Sequence, residues 1–216
     1  MLCLHCKHML SATTRKRKRL RTHKTPARAT LREVIRSTAR ELFAREGYES
    51  VSMRRIANEI GCSPMAMYRH FENKDELLLS ICEETFHEMT KLIDSAKQEG
   101  LPPLERLRKT LQTIIGFHVS HPNYYKVTFL TEFRSAAMAE RKAAIGRPVV
   151  DRLRAGIQEC ADAKGVNVDL ELTTQLLRSG MHGVTLMLMM NTMCHPVQNR
   201  ECLKQEMIAT LTRLFE

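Results

Sequence analysis

The stretch SMRRIANEIGCSPMAMYRHFENKDELL, residues 52–78, decides the fold. Ser52 stands immediately before Met53, Ile56, Ala57 and Ile60, whose three- and four-residue spacing predicts a two-turn helix. So short a helix leaves its first N–H groups without internal partners, and a serine at its start supplies one acceptor. Gly61 supplies the stop. Ser63-Pro64 repeats the start signal, a capping hydroxyl before a ring preset for the first helical position, and predicts a second short helix through Met65, Ala66, Met67, Tyr68 and Arg69. Upstream, Leu31, Val34, Ile35, Ala39, Leu42 and Phe43 mark one face of a longer helix over 30–46, closed by Gly47. A longer helix followed by two short ones across a glycine turn is a helix-turn-helix pattern.

Outward from this stretch the apolar spacing stays helical. Glycine (9) and proline (7) are few among 216 residues, and β-branched runs are short, so the chain reads as all-α. Further helices are expected over 75–98, 103–120, 122–134, 137–164, 168–192 and 199–215. Pro102-Pro103, Pro122, Pro148 and Pro196 are expected to punctuate them. The organisation that follows is a three-helix N-terminal domain over 29–75 and an antiparallel helical domain over 76–216.

The net charge of +10 is not spread evenly. Residues 1–28 hold nine Lys or Arg and no acid, residues 29–75 eight bases and seven acids, and residues 76–216 seventeen of each. A globule coated in positive charge is excluded; what remains is a near-neutral body with a basic arm over 1–28, expected to be disordered alone. An acid-poor start of this kind also fits a transit peptide, a nuclear address or an inert tail. Seven scattered cysteines suit a reducing cytosol and a cytoplasmic location. Cys3 and Cys6, with His5 and His8, lack a second ligand pair, so no metal is expected; Met9 is an alternative start that would omit them. No apolar run approaches eighteen residues, and no membrane span is expected. A glycine-rich phosphate loop, an H-E-x-x-H pair and a nucleophile elbow are all missing, so neither an enzyme nor a cofactor is expected.

Residues 31–78 resemble the DNA-binding region of TetR-family transcriptional regulators. The resemblance is carried by Ala39-Arg40-Glu41-Leu42-Phe43, Gly47-Tyr48, Ser52-Met53-Arg54-Arg55-Ile56-Ala57, Gly61-Cys62-Ser63 and Tyr68-Arg69-His70-Phe71-Glu72-Asn73-Lys74-Asp75-Glu76-Leu77-Leu78. It implies that the helix opened by Ser63 enters the major groove, with Met65, Ala66 and Tyr68 against bases and Ser52, His70 and Lys74 at phosphates. A structural role is the alternative for His70, and Met67 is expected in the core with Phe71 and Ile56. Arg55 occupies the position where a capping box wants Glu or Gln, placing a cation at a positive helix end. A nearby phosphate would reverse that cost, which makes Arg54 and Arg55 candidate DNA contacts; solvated surface arginines are the alternative. The arm, including Arg15, Arg17 and Arg19, is expected to follow phosphates or a narrow minor groove.

The segment 121–129 and Gly180-Met181-His182-Gly183-Val184 resemble the TetR-family C-terminal domain marked by a Trp-His-Gly signature, with Met181 in place of the Trp. Phe117, His118, His121, Tyr124, Tyr125, Phe129 and Phe133, joined by Met187, are candidate walls of a pocket for a small organic effector, with ordinary core packing as the alternative. Leu176, Met181, Val184 and Leu188 on one helix, and Leu203, Met207, Leu211 and Leu214 on the next, are candidates for a homodimer interface. The expected function is a dimeric, sequence-specific DNA-binding regulator, a repressor released from a palindromic operator by its effector. The alternative is a ligand-independent architectural DNA-binding protein driven by its basic arm.

Overall fold

Every regular element among the described residues is helical, in a computed structural model that describes residues 30–96, 100–190 and 200–216. The helices are α1 (Leu31–Glu46), α2 (Met53–Ile60), α3 (Pro64–Tyr68), α4 (Lys74–Ala96), α5 (Pro103–Ser120), α6 (Pro122–Phe129), α7 (Ala136–Lys164), α8 (Leu170–Met190) and α9 (Arg200–Thr212), closed by a 3-10 turn at Arg213–Phe215. The basic arm over 1–28, with Arg15, Arg17, Arg19, Cys3 and Cys6, lies outside the described residues, as do Cys194 and His195. No helix among the described residues is long and apolar enough to cross a membrane.

Two apolar clusters organise the body. Ile35, Leu42, Val51, Ile56, Met67 and Phe71 close one around α1–α3, where α4 contributes Leu77, Leu78 and Ile81. The other gathers Met89 and Ile93 of α4 with Leu111, Ile115, Leu153, Ile157, Val184 and Ile208 from α5, α7, α8 and α9. Phe86, near the middle of α4, packs against both clusters. A single 23-residue helix therefore belongs to the two cores at once. Its start is fixed by Asn73 Oδ1, which accepts from the Glu76 N–H at 2.9 Å, and by two acids in its positive first turn. Polar ties add register: Arg36 and Arg40 of α1 both reach Glu84, and the Thr85 and Thr128 hydroxyls meet at 2.9 Å inside the body.

Two expectations are corrected. Pro148 does not separate helices but lies inside α7, where it and Ala144, the residue one turn before it, are both exposed, so the carbonyl that loses its N–H partner there belongs to the solvent face. The helix expected over 122–134 ends at Phe129. Leaving the helix there lets Phe133 pack against the α1–α3 cluster and Arg134 grip both carboxylate oxygens of Glu49, at 3.2 and 2.6 Å.

Candidate nucleic-acid interface and buried cavity

Local capping builds the α2–α3 corner. Ser52 Oγ accepts from the Arg55 N–H at 3.1 Å, and Ser63 Oγ accepts from the Ala66 N–H at 3.2 Å, so each short helix has one of its orphan donors satisfied. Between them Gly61 takes φ +72°, the left-handed conformation that a β-carbon makes costly, and the turn closes through Cys62 N–H to Ala57 O at 3.0 Å. Met67 is fully buried as expected. Met65 is 72% exposed and Tyr68 50% exposed, two large side chains held in water by a five-residue helix. Apolar groups so displayed mark a contact surface.

The remaining residues of the expected interface divide. Ala66 is 8% exposed and turned toward the core, which removes it from base contact. Arg55 is bound internally: its guanidinium pairs with Glu59 at 2.5 Å and Glu46 at 3.3 Å. Those carboxylates offset the cation at the α2 start, so the energetic reason for assigning Arg55 a phosphate is gone. Arg54 is exposed. Lys74 is half-buried, donates to the Tyr48 carbonyl at 2.9 Å and sits 4.1 Å from the Tyr48 ring centre, and the Tyr48 hydroxyl bonds Asp75. Burial and that carboxylate push the Tyr48 phenol up from its ordinary value. His70 is half-buried and its carbonyl accepts from Arg32, which lies over Phe71. These contacts lock the end of α3 and the start of α4 as one piece.

A second constellation lies against the other end of α4. His118, of α5, is 0% exposed, and among the described residues neither ring nitrogen has a hydrogen-bond partner. Its ring meets Tyr125 at 4.9 Å, Phe129 at 5.0 Å and His182 at 5.9 Å between centres. The Tyr125 hydroxyl and His182 Nδ1 are 3.1 Å apart. Burial, and for His118 the neighbouring His182, holds the imidazoles far below their ordinary value, at about 3 for His118; for His182 burial and then Arg178 lower it to about 4. Both rings are therefore neutral near pH 7. A chamber of about 30 Å3 faces them, and it shares Phe86, Phe129, Gly146, Val150 and Arg178 with an open cavity of about 570 Å3 that continues past Phe133 and Lys142. Gly146 makes the space: a β-carbon there would lie 2.9 Å from the Phe86 ring. A larger cleft of about 670 Å3 is lined by Arg32, Glu76 and Arg141 among others, with Arg141 paired to Glu76 across it.

The structure thus brings His118, Tyr125, Phe129 and Phe133 to one site and leaves others out. Tyr124 is turned toward α1, under the Arg40 guanidinium at 3.8 Å, and His121 is exposed and stacks on Phe117 at 4.7 Å. Met187 is exposed on the far face of α8, not in the cavity. Phe86, Gly146, Arg178 and His182 were missed as wall residues. His182 carried a signal, an imidazole set in an apolar helix, whereas Gly146 and Arg178 become visible only when α7 and α8 meet.

The interface stripe is also corrected. Met181, Val184 and Leu188 are buried in the protomer's own core, so no second copy can reach them. Leu203, Met207 and Leu211 pack partly against that same core. Exposed instead are Leu176 at 58%, with Leu172 and Met187 on the same face of α8, and Leu214 beyond α9. Among the described residues no group of three or more potential ligands could hold a metal.

Residues 35–81 match the family described as bacterial regulatory proteins, tetR family, and residues 107–211 match the tetracyclin repressor-like C-terminal domain. Solved structures share the fold at low identity. A bacterial regulatory protein in the tetR family from Rhodococcus RHA1 superposes with a TM-score of 0.71 at 22% identity, covering 87% of this chain and 97% of that one. The transcriptional regulator FadR from Bacillus subtilis, solved in complex with stearoyl-CoA, gives 0.72 at 16% identity over 83% and 96%. PfmR from Thermus thermophilus, a TetR family transcriptional regulator, gives 0.68 at 23% over 85% and 96%.

Proposed function

Because the chain belongs to the TetR family of bacterial regulatory proteins, and so is a DNA-binding transcriptional regulator and not an enzyme, we propose that it is a repressor released from its operator by a small organic effector bound in the cavity at Phe86 and Phe129. In this reading residues 29–75 are the reading head, with Met65 and Tyr68 at base edges and Ser52, Arg54, His70 and Lys74 near phosphates. Residues 76–216 bind the effector and pair two copies on a palindromic operator, and residues 1–28 add non-specific affinity.

The observation that carries the proposal is the double membership of α4. Leu77, Leu78 and Ile81 pack with the reading head, Met89 and Ile93 pack with the C-terminal core, and Phe86 between them is a wall of the cavity. A molecule that displaces Phe86 acts on an element shared by both cores, which is what an effector needs to change the separation of two heads. The stearoyl-CoA complex of Bacillus subtilis FadR lends the general idea, an organic ligand in this fold, without naming the ligand here.

Duplexes enriched from a random-sequence library test the reading. The expected result is a palindromic site bound about a thousandfold or more tighter than random DNA, with native mass spectrometry finding a small molecule in the protein that competes with operator. Equal affinity for enriched and random duplexes would instead support the architectural reading driven by the arm.

A further inference from the structure

The two cations of the cavity wall differ from the ion-paired arginines of the same body. Arg134, Arg141, Arg152 and Arg154 each hold a carboxylate within ion-pair distance. Among the described residues Arg178 and Lys142, the two cations of the cavity wall, do not: Arg178 hydrogen-bonds only the Gln175 amide oxygen at 3.4 Å, and Lys142 only the Thr131 carbonyl at 3.4 Å, with the Phe133 ring centre 5.9 Å away. One acid, Glu132, lines the same wall. At the inner end the orphaned nitrogens of His118 wait beside His182. Within the described residues the buried Tyr125 hydroxyl has no acceptor other than His182 Nδ1, so it donates there and leaves the His182 Nε2 proton free to donate. Buried polar groups without partners are rare and costly, and three nitrogen donors converging beside an apolar cavity describe the complement of a ligand.

We infer that the effector is an organic acid with an apolar body: its carboxylate is held by Arg178 with one oxygen reaching His118 and His182, and its body lies against Phe86, Phe129 and Val150. This rests on the proposed effector reading and narrows its chemical class. The inner chamber of about 30 Å3 exceeds the space that a single water needs, so an oxygen of the head group fits there. Because both imidazoles are neutral before binding, they act as hydrogen-bond donors, and Arg178 supplies the fixed positive charge. Lys142, further out, attracts the anion to the entrance.

Isothermal titration of the full chain with 4-phenylbutyrate and decanoate, each beside its matched amide and amine, tests the inference. At least one acid should bind tenfold or more tighter than its amide and amine. In the Arg178→Gln variant that preference should fall to within about twofold, and Arg178→Lys should restore part of it. The inference is overturned if no acid binds, if amide or amine equals the acid, or if the preference survives Arg178→Gln. Operator affinity, read by fluorescence anisotropy with and without the bound acid, separates the two readings. An acid that binds with the stated preference but leaves operator affinity unchanged keeps the cavity's chemistry and removes its effector role. A neutral or cationic compound that enters the cavity and releases operator keeps the role and overturns the chemistry.

Discussion

At His118 two ring nitrogens are buried with no partner among the described residues, and the protein bears the desolvation cost of both. An unsatisfied buried polar group costs about 1–3 kcal/mol, so replacing the ring by a shape-compatible apolar side chain should help the free protein. His118→Leu is expected to raise the unfolding free energy by about 1–3 kcal/mol, read from urea midpoints at pH 7, while removing effector binding. A destabilised variant would mean that the imidazole has a partner in solution. The same residue sets a pH dependence. With folded values of about 3 for His118 and about 4 for His182, against 6.5 in the unfolded chain, the unfolded state binds protons that the folded state refuses. Stability is therefore fully present above pH 6.5 and is lost as pH falls toward 4. Between pH 6 and 5 the slope from this pair approaches two protons, about 2.4 kcal/mol per pH unit, and His118→Leu should roughly halve it. Met65 and Tyr68 make the opposite case, exposed side chains that the fold does not need. Replacing either by Ala should move stability by no more than about 0.5 kcal/mol and weaken operator binding by at least tenfold, measured by anisotropy against the enriched duplex.

Between elements, the α4–α7 contact at Gly146 decides whether the cavity exists. A β-carbon there meets a ring and not a flexible chain end, and that ring packs edge-on to Phe129 at 5.6 Å between centres. Gly146→Val is expected to cost about 1–3 kcal/mol through overpacking and to abolish effector response, because Phe86 must move into the cavity or out of both clusters. A variant that melts like the parent and still responds would show that α7 slides freely on α4. This contact also explains which elements were legible in the sequence. The α1–α3 head was, because its signals are local: Ser52 and Ser63 hydroxyls, the proline at the α3 start, and Gly47 and Gly61 stops act within a few residues of where they stand. The burial of Ala66 and the pairing of Arg55 with Glu46 and Glu59 were not legible, because both are set by how the helices fold together. Pro148 was misread because a proline costs a helix least on a solvent-exposed face, and both Pro148 and Ala144 stand on such a face of α7. Periodicity likewise found the apolar stripe of α8 but could not divide Val184, facing the protomer's core, from Leu176, facing solvent. The cavity shared this limit: His118 and Phe129 stand in one aromatic segment, whereas Phe86, Gly146 and Arg178 come from three helices distant in sequence.

For the whole molecule, the open question is what covers α8. Leu172, Leu176 and Met187 recur on one face and remain in water in a single copy, with Leu214 also exposed. Gly183, on the same face, has nothing within 4 Å of where a β-carbon would stand, so another backbone can approach closely. A two-fold contact that pairs this face with itself would bury those side chains and fix two reading heads at one separation, the geometry a palindromic operator needs. Leu176→Asp places a charge at the centre of that contact, where desolvation is costly, while in the single copy the position is already solvated. The expected outcome is a monomer by sedimentation velocity, with helical content and thermal unfolding close to the parent's at low concentration. Operator affinity should fall at least a hundredfold, and the dependence of log affinity on log salt should drop to about half, since each lost phosphate contact removes about 0.9 from the slope. Deleting residues 1–28, which hold nine cations and no acid, should also flatten the slope but leave the dimer and the preference for the enriched site intact. The two variants thus separate the contributions: one removes a reading head from the complex, the other removes charge from a complex that still has both. If Leu176→Asp stays dimeric, the pairing surface lies elsewhere and the exposed α8 face needs another partner.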